Sequence, residues 1–325
     1  LKLTENELIH LFYFKFQDIP LLSRMDAVME YFIDEYETLH DCTLSEEDLD
    51  TIVKKFQKLY VTRDLYKIYN KFLEENGYPM LPDVPQEKRV LAYEDVYPLL
   101  YLKYRLCRVR DHKNIKHLVI DEMQDYSYLQ YLILRLMFNC RMTILGDRAQ
   151  TMEERNHDVL EFLPGIFGKD MRKIILNKSY RNTVEIAEYA NRTAGIRDME
   201  IFQRHGKEVE EKKLDGKEEA VEEIFKNLAL GSKGYETAAL LTMSEEEALE
   251  VYKNLREKEI PAFYVDRNSS SFKKGLTVTT FYLAKGLEFD QVFVLARKKK
   301  TPLLIQAEYI CATRALHELY VYECL

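Results

Sequence analysis

The sequence predicts an α/β protein with largely parallel sheets, preceded by a segment that is helical throughout. Three observations predict it. Two short apolar, β-branched runs, Leu118-Val119-Ile120 and Met142-Thr143-Ile144-Leu145, each end in polar residues, as strands buried on both faces do where their carboxyl ends open onto a ligand crevice. From about Arg172 onward strand patterns alternate with helical ones, which is the signature of parallel βα units. Residues 1–88 show helical periodicity and little else.

Taken in order, Leu21 to Tyr36 places Leu22, Met25, Val28, Met29, Phe32 and Ile33 on one helical face. Leu49, Ile52, Val53, Phe56 and Leu59 repeat the pattern after a Ser45-x-x-Asp48 start. A third helix is expected from about Thr62 to Glu75, stopped by Gly77 and Pro79. Its aromatic stripe (Tyr60, Tyr66, Tyr69, Phe72) could stack bases, but the rings recur on the apolar face and are expected to be core. Two prolines make Leu81 to Pro85 a stiff connection. Tyr93 to Cys107 is helical, Leu118 begins a strand, and a helix with Leu129, Leu132, Ile133, Leu136 and Met137 inward follows Ser127. A second strand starts at Arg141.

Beyond it, Ile174-Ile175-Leu176 is expected as a strand and Thr183 to Asn191 as a helix with Ile186, Ala187 and Ala190 inward. Ala194 to Glu219 is charged and turn-rich, with Asp215-Gly216 expected as a hairpin turn. Ala238 to Leu241 is a strand, and Ser244 to Glu247 a capping box that opens a helix ending before Pro261. Strands at Phe263–Val265, Leu276–Thr279, Val292–Leu295 and Leu319–Tyr322 complete the pattern. The expected division is a helical segment at 1–88, part of one α/β domain at 89–168 and a complete second one at 169–325.

At 325 residues, 46% hydrophobic and 31% charged, the chain has room for two domains of ordinary size. A net charge of -8 argues against a surface that coats nucleic acid generally, because phosphate binding depends on Lys and Arg. The longest apolar run, near Tyr131 to Leu134, is broken by Arg135, so no membrane span is expected. Five cysteines without a C-x-x-C spacing favour reduced thiols and a cytoplasmic location over disulfides or zinc.

The chemistry concentrates at the strand ends. Asp121 and Glu122 follow the first strand, where one carboxylate suits Mg2+ and the other a water to be activated. Taken alone, the pair could equally cap the next helix. The second strand adds Gly146-Asp147 and the amide of Gln150. Gly286 permits a turn with close backbone approach. Arg297 to Lys300 is a basic run that a solvated loop explains as well as a nucleic-acid backbone does.

Asp121-Glu-Met-Gln-Asp125 resembles the Walker B element of superfamily 1 helicases of the UvrD/Rep type, and Gly146-Asp-Arg-Ala-Gln150 resembles their motif III. Ser179 to Thr183 is similar to motif IV, Thr279 to Asp290 to motif V and Tyr309 to Ala315 to motif VI, all in the family's order. Tyr282 departs from the commoner His of motif V, and Tyr93 to Leu102 resembles the HelD-like branch. The resemblance implies RecA-like P-loop NTPase domains, one partial and one complete, that take ATP and Mg2+. It implies Asp121 on Mg2+, Glu122 on the attacking water, and Gln150 and Arg181 at the γ-phosphate. Tyr180 would stack on the base, Lys285, Gly286 and Glu288 would form a nucleotide-binding turn, and Arg314 would act as an arginine finger.

A Walker A loop needs G-x-x-x-x-G-K-[ST], and the Gly-Lys pairs at 168, 206 and 216 are each followed by Asp or Glu. The chain is therefore expected to be the C-terminal part of such a protein and inactive by itself. The implied partner is single-stranded or partly duplex DNA. The HelD-like resemblance implies RNA polymerase instead, and a third reading is a nucleotide-binding module without hydrolysis.

Overall fold

The computed structural model describes residues 4–109, 112, 114–150, 159–168, 171–231, 234–269 and 273–324. By its internal contacts the chain divides into two units. One comprises residues 1–121, 126–145 and 159–170, the other 122–125, 146–158 and 171–325. The short loops after the first two strands thus belong to the second unit.

The first unit is mostly helical. α1 (Glu5–His10) opens on a capping box made by Thr4 and Glu7 and runs into a π-helical turn at Leu11–Lys15. α2 (Leu21–His40) and α3 (Glu46–Gln57, capped by Ser45) bury Leu11, Phe12, Met25, Val28, Ile52 and Phe56 in one cluster. α4 (Leu65–Glu75) follows, then α5 (Tyr93–Leu106). The expected aromatic stripe is mainly core: Tyr66 and Tyr69 are buried and Phe72 is half exposed. Asp64 caps α4 by accepting from the Tyr66 amide and grips Arg89 with both oxygens at 3.0 and 2.6 Å. These bonds from Arg89 hold the Asp64 carboxyl below its usual 3.8. A depressed folded pKa stabilises above the unfolded value and is lost as pH falls through the folded one. Urea unfolding should therefore lose about 1 kcal/mol from this group below about pH 4, and Asp64→Asn should remove that part of the acid dependence.

β1 (His117–Ile120) and β2 (Arg141–Ile144) pair in parallel, with Ile120 opposite Ile144, and α6 (Tyr128–Met137) connects them from a Ser127–Gln130 capping box. α7 (Val159–Phe167) lies beside α6, where Tyr131 is fully buried against Phe162 and Phe167. The expectation that β1 is buried on both faces is corrected, since Ile120 is buried while Val119 is 60% exposed. Among the described residues β1 and β2 pair only with each other, and two strands cannot bury both of their faces.

In the second unit a six-stranded parallel sheet has the order β5-β10-β9-β6-β8-β7. Its strands are β5 (Glu210–Leu214), β6 (Thr237–Thr242), β7 (Ala262–Tyr264), β8 (Gly275–Thr280), β9 (Phe289–Arg297) and β10 (Ala315–Cys324). Side chains alternate across it. Leu241, Val292, Val294 and Leu319 pack with α8 (Val184–Ala194) and α11 (Pro302–Ala312), whereas Leu240, Leu276, Phe293 and Tyr320 pack with α9 (Lys217–Asn227) and α10 (Glu245–Glu257). This is the helix-flanked parallel α/β architecture that the alternation predicts.

Three local expectations are corrected here. Ile174 to Leu176 is not a strand but an extended segment exposed by 68, 72 and 85%, and pairing is confined to β3 (Lys178–Ser179) with β4 (Glu200–Ile201). β-branched residues make a strand only where a neighbouring edge supplies hydrogen bonds. Asp215-Gly216 is not a hairpin but the turn from β5 into α9. β5 itself was hidden in the charged stretch, because an edge strand carries charges that mask its alternation. The five cysteines are free thiols, and among the described residues no helix is long and apolar enough to cross a membrane.

Candidate active site

The second unit gathers most of the expected site residues. Glu122 begins the loop after β1 with φ at +52°, which a non-glycine residue rarely adopts. Among the described residues the other two with such a φ, Asp41 and Glu259, lie just past the ends of α2 and α10, where a left-handed turn ends a helix. Glu122 ends no helix. Strain of roughly 1–3 kcal/mol that serves no capping purpose is typical of a functional position. Its carboxylate accepts from the Gln124 amide at 2.6 Å, and Gln124 in turn accepts from the Asp147 N–H at 3.1 Å. One buried glutamine thus ties the two loops together.

Asp147 orders the second loop. Its carboxylate accepts from the Ala149 amide, the Gln150 side chain at 2.8 Å and the Tyr309 hydroxyl at 3.1 Å. With its NH2 group committed to Asp147, Gln150 turns its carbonyl oxygen to the Arg314 guanidinium at 3.1 Å. Arg314 sits between α11 and β10, is 2% exposed, and also donates to the carbonyls of Ile310 and Leu287 and to the Thr313 hydroxyl. Burial, followed by the nearby Arg181 charge, pulls its pKa below the usual guanidinium value. A buried cation facing a second cation is a site that favours an anion.

Lys285 is the hub on the other side. Its ammonium lies 2.6 and 2.7 Å from the two oxygens of Asp125, 3.1 Å from the Gln150 carbonyl and 3.6 Å from Glu122. Lys285 therefore braces the loop that carries Glu122. A double-mutant cycle of Lys285→Met and Asp125→Asn is expected to show a coupling of about 1–2 kcal/mol in urea unfolding, reduced by the partial exposure of Asp125. Coupling near zero would mean that solvent screens the pair.

Arg181 is half exposed and pairs with Glu288 at 2.8 Å. Gly286 has φ +82°, and an added Cβ would meet nothing, so its backbone conformation rather than space calls for glycine. Tyr180 is 64% exposed, with its ring against Phe202. Tyr282, the departure within motif V, donates to Glu245 at 2.7 Å, a carboxylate that Arg267 also holds at 2.8 Å. In the first unit Asp121 is exposed at the end of β1. Gln124, Asp125 and Tyr309 escaped the sequence reading, as did buried Asn182, which donates to the Ala315 carbonyl at 2.6 Å. All four lie inside motifs already singled out, and reading every polar position of those motifs as a candidate would have found them.

Among the described residues no cluster of three His, Cys, Asp or Glu could hold a metal. Mg2+ does not need one, since it is commonly held by one or two carboxylates together with substrate phosphates. Asp121 and Glu122 are of the carboxylate type that Mg2+ takes, so the residues present fit a metal that would be held jointly with substrate phosphates.

No family model matches the chain. It is 28% identical over 134 residues to the ATP-dependent DNA helicase Rep of Buchnera aphidicola subsp. Baizongia pistaciae, covering 39% of this chain and 18% of that protein's length. Among solved structures it is similar to the C-terminal domain of a possible DNA helicase from Lactobacillus plantarum WCFS1, at 23% identity and TM-score 0.38 over 45% of this chain and 88% of that one. An arterivirus nonstructural protein 10 helicase in complex with DNA aligns at 14% identity and TM-score 0.37, over 79% of this chain and 50% of that one. The sequence similarity to the Rep helicase thus spans about a fifth of that protein's length.

Proposed function

We propose that this chain carries the catalytic carboxylates and the γ-phosphate-sensing half of an ATP-driven DNA helicase of superfamily 1. The observation that supports this best is the continuous network in which Glu122, Gln124, Asp147, Gln150 and Arg314 are joined by hydrogen bonds, with Lys285 bracing it. Bound ATP and Mg2+ supply the phosphoryl group and a metal that neutralises its charge. Asp121 would hold the metal, and Glu122 would orient and deprotonate the attacking water. Gln150, held between Asp147 and Arg314, would couple the second loop to the γ-phosphate, and Arg314 and Arg181 would stabilise the charge that develops there. Glu288 is available to a ribose hydroxyl once Arg181 turns to phosphate, and Tyr180 offers an exposed ring to the base.

The DNA partner belongs to the same proposal. Arg297 and Lys300 are engaged by Glu247 and Glu308, which offsets two of the four cations in that run. Binding of single strands by these 325 residues is therefore expected to be weak, above about micromolar at physiological salt. A phosphate-release assay tests the enzymatic part. The 325 residues alone should turn over far below about one ATP per second, because the sequence contains no Walker A pattern. A protein that carries these residues together with a phosphate loop should hydrolyse ATP, faster with DNA, and lose turnover but not ATP binding on Glu122→Gln. Turnover indifferent to Glu122→Gln would refute the proposal.

A further inference from the structure

We infer that the groove formed by α1, the π-helical turn and α2 is a docking surface for a basic amphipathic helix of a partner protein. The groove is open to solvent and offers about 630 Å3 of space. Leu11, Tyr31, Phe32 and Leu39 give it an apolar lining, and Glu7 and Glu35 add negative charge. Leu39 is 75% exposed, so a large apolar side chain is left in water at one end.

The wall is unusual in its backbone. In the π-helical turn the Phe16 amide bonds to the Leu11 carbonyl five residues back, which breaks the ordinary helical register. Within Phe12-Tyr13-Phe14, Phe12 is buried while Tyr13 and Phe14 remain 59 and 63% exposed. π-helical turns persist mainly where they serve a site.

Charge identifies the occupant. Residues 1–50 contain thirteen Asp and Glu against three Lys and Arg, although the whole chain is only -8. The two groove carboxylates are held in place, Glu7 by Thr4 and Glu35 by the Tyr31 hydroxyl at 3.1 Å. The chain itself displays the matching contact: the Lys15 ammonium sits 3.2 Å from the centre of the Tyr31 ring. An apolar stripe flanked by Lys or Arg would fill the lining and meet the carboxylates, whereas a nucleic-acid backbone would be repelled. This inference does not depend on nucleotide chemistry.

Fluorescence anisotropy with the 325-residue chain tests it, using a labelled Leu/Lys amphipathic peptide of about five helical turns. A peptide with the same Leu stripe and Glu in place of Lys should bind at least about tenfold more weakly at ~0.15 M salt. Glu7→Lys with Glu35→Lys should weaken the cationic peptide about tenfold, and Leu39→Asn severalfold. The equally exposed control, Glu246→Lys with Glu257→Lys, should leave affinity unchanged. Equal binding of both peptides, equal loss in the control, or displacement of the peptide by a single-stranded oligonucleotide would each overturn the assignment.

Discussion

Arg314→Ala is expected to lower the kcat of ATP hydrolysis by about three to five powers of ten in a protein that joins these residues to a phosphate loop, with ATP affinity changed far less. The guanidinium is permanently charged and planar, and it is aimed by four hydrogen bonds, among them the one to Gln150 at 3.1 Å. Truncation removes charge stabilisation at the transition state and also orphans the Gln150 oxygen. It should therefore cost about 2–4 kcal/mol of stability in urea as well. Kinetics separate the two effects. Arg314→Lys keeps a charge and most of the packing but loses the fork, so it should regain stability while recovering little of kcat. If Arg314→Ala instead weakened ATP binding and kcat equally, the residue would act in the ground state.

Gly146→Ala is expected to destabilise the second unit by about 3 kcal/mol, near the upper end for an overpacked site. A Cβ at this position would lie 2.4 Å from the Gln124 side-chain oxygen, 2.4 Å from Met123 Cγ and 2.7 Å from the Met123 amide nitrogen. Backbone cannot swing aside as the end of a flexible side chain can. The chain must shift, and the Gln124 bond to the Asp147 amide is the first to be lost. Thermal melts of Gly146→Ala beside Gly286→Ala give an informative pair, since Gly286 has open space and only a backbone penalty of ~1–2 kcal/mol. Equal melting of Gly146→Ala and the parent chain would show that the two loops are not packed as described.

Much of this protein was legible in one dimension. Hydrophobic period decided α2 to α6 and the strands β6, β8, β9 and β10, because a buried parallel strand must be apolar on both faces and a packed helix on one. The polar residues after β1, β2 and β8 marked which loops to examine, and Glu122, Gln150, Lys285 and Arg314 do meet in one network. Only the tertiary structure decided which groups partner which. Lys285 holds Asp125 across a separation of 160 residues, and Tyr309 reaches Asp147 across 162. Local pattern carries no record of contacts so distant, since it registers only which side of an element is apolar. The same limit explains Ile174 to Leu176, whose β propensity is real but whose pairing depends on an edge elsewhere in the chain, and β5, whose strand state comes from its neighbour β10 rather than from its own charged residues.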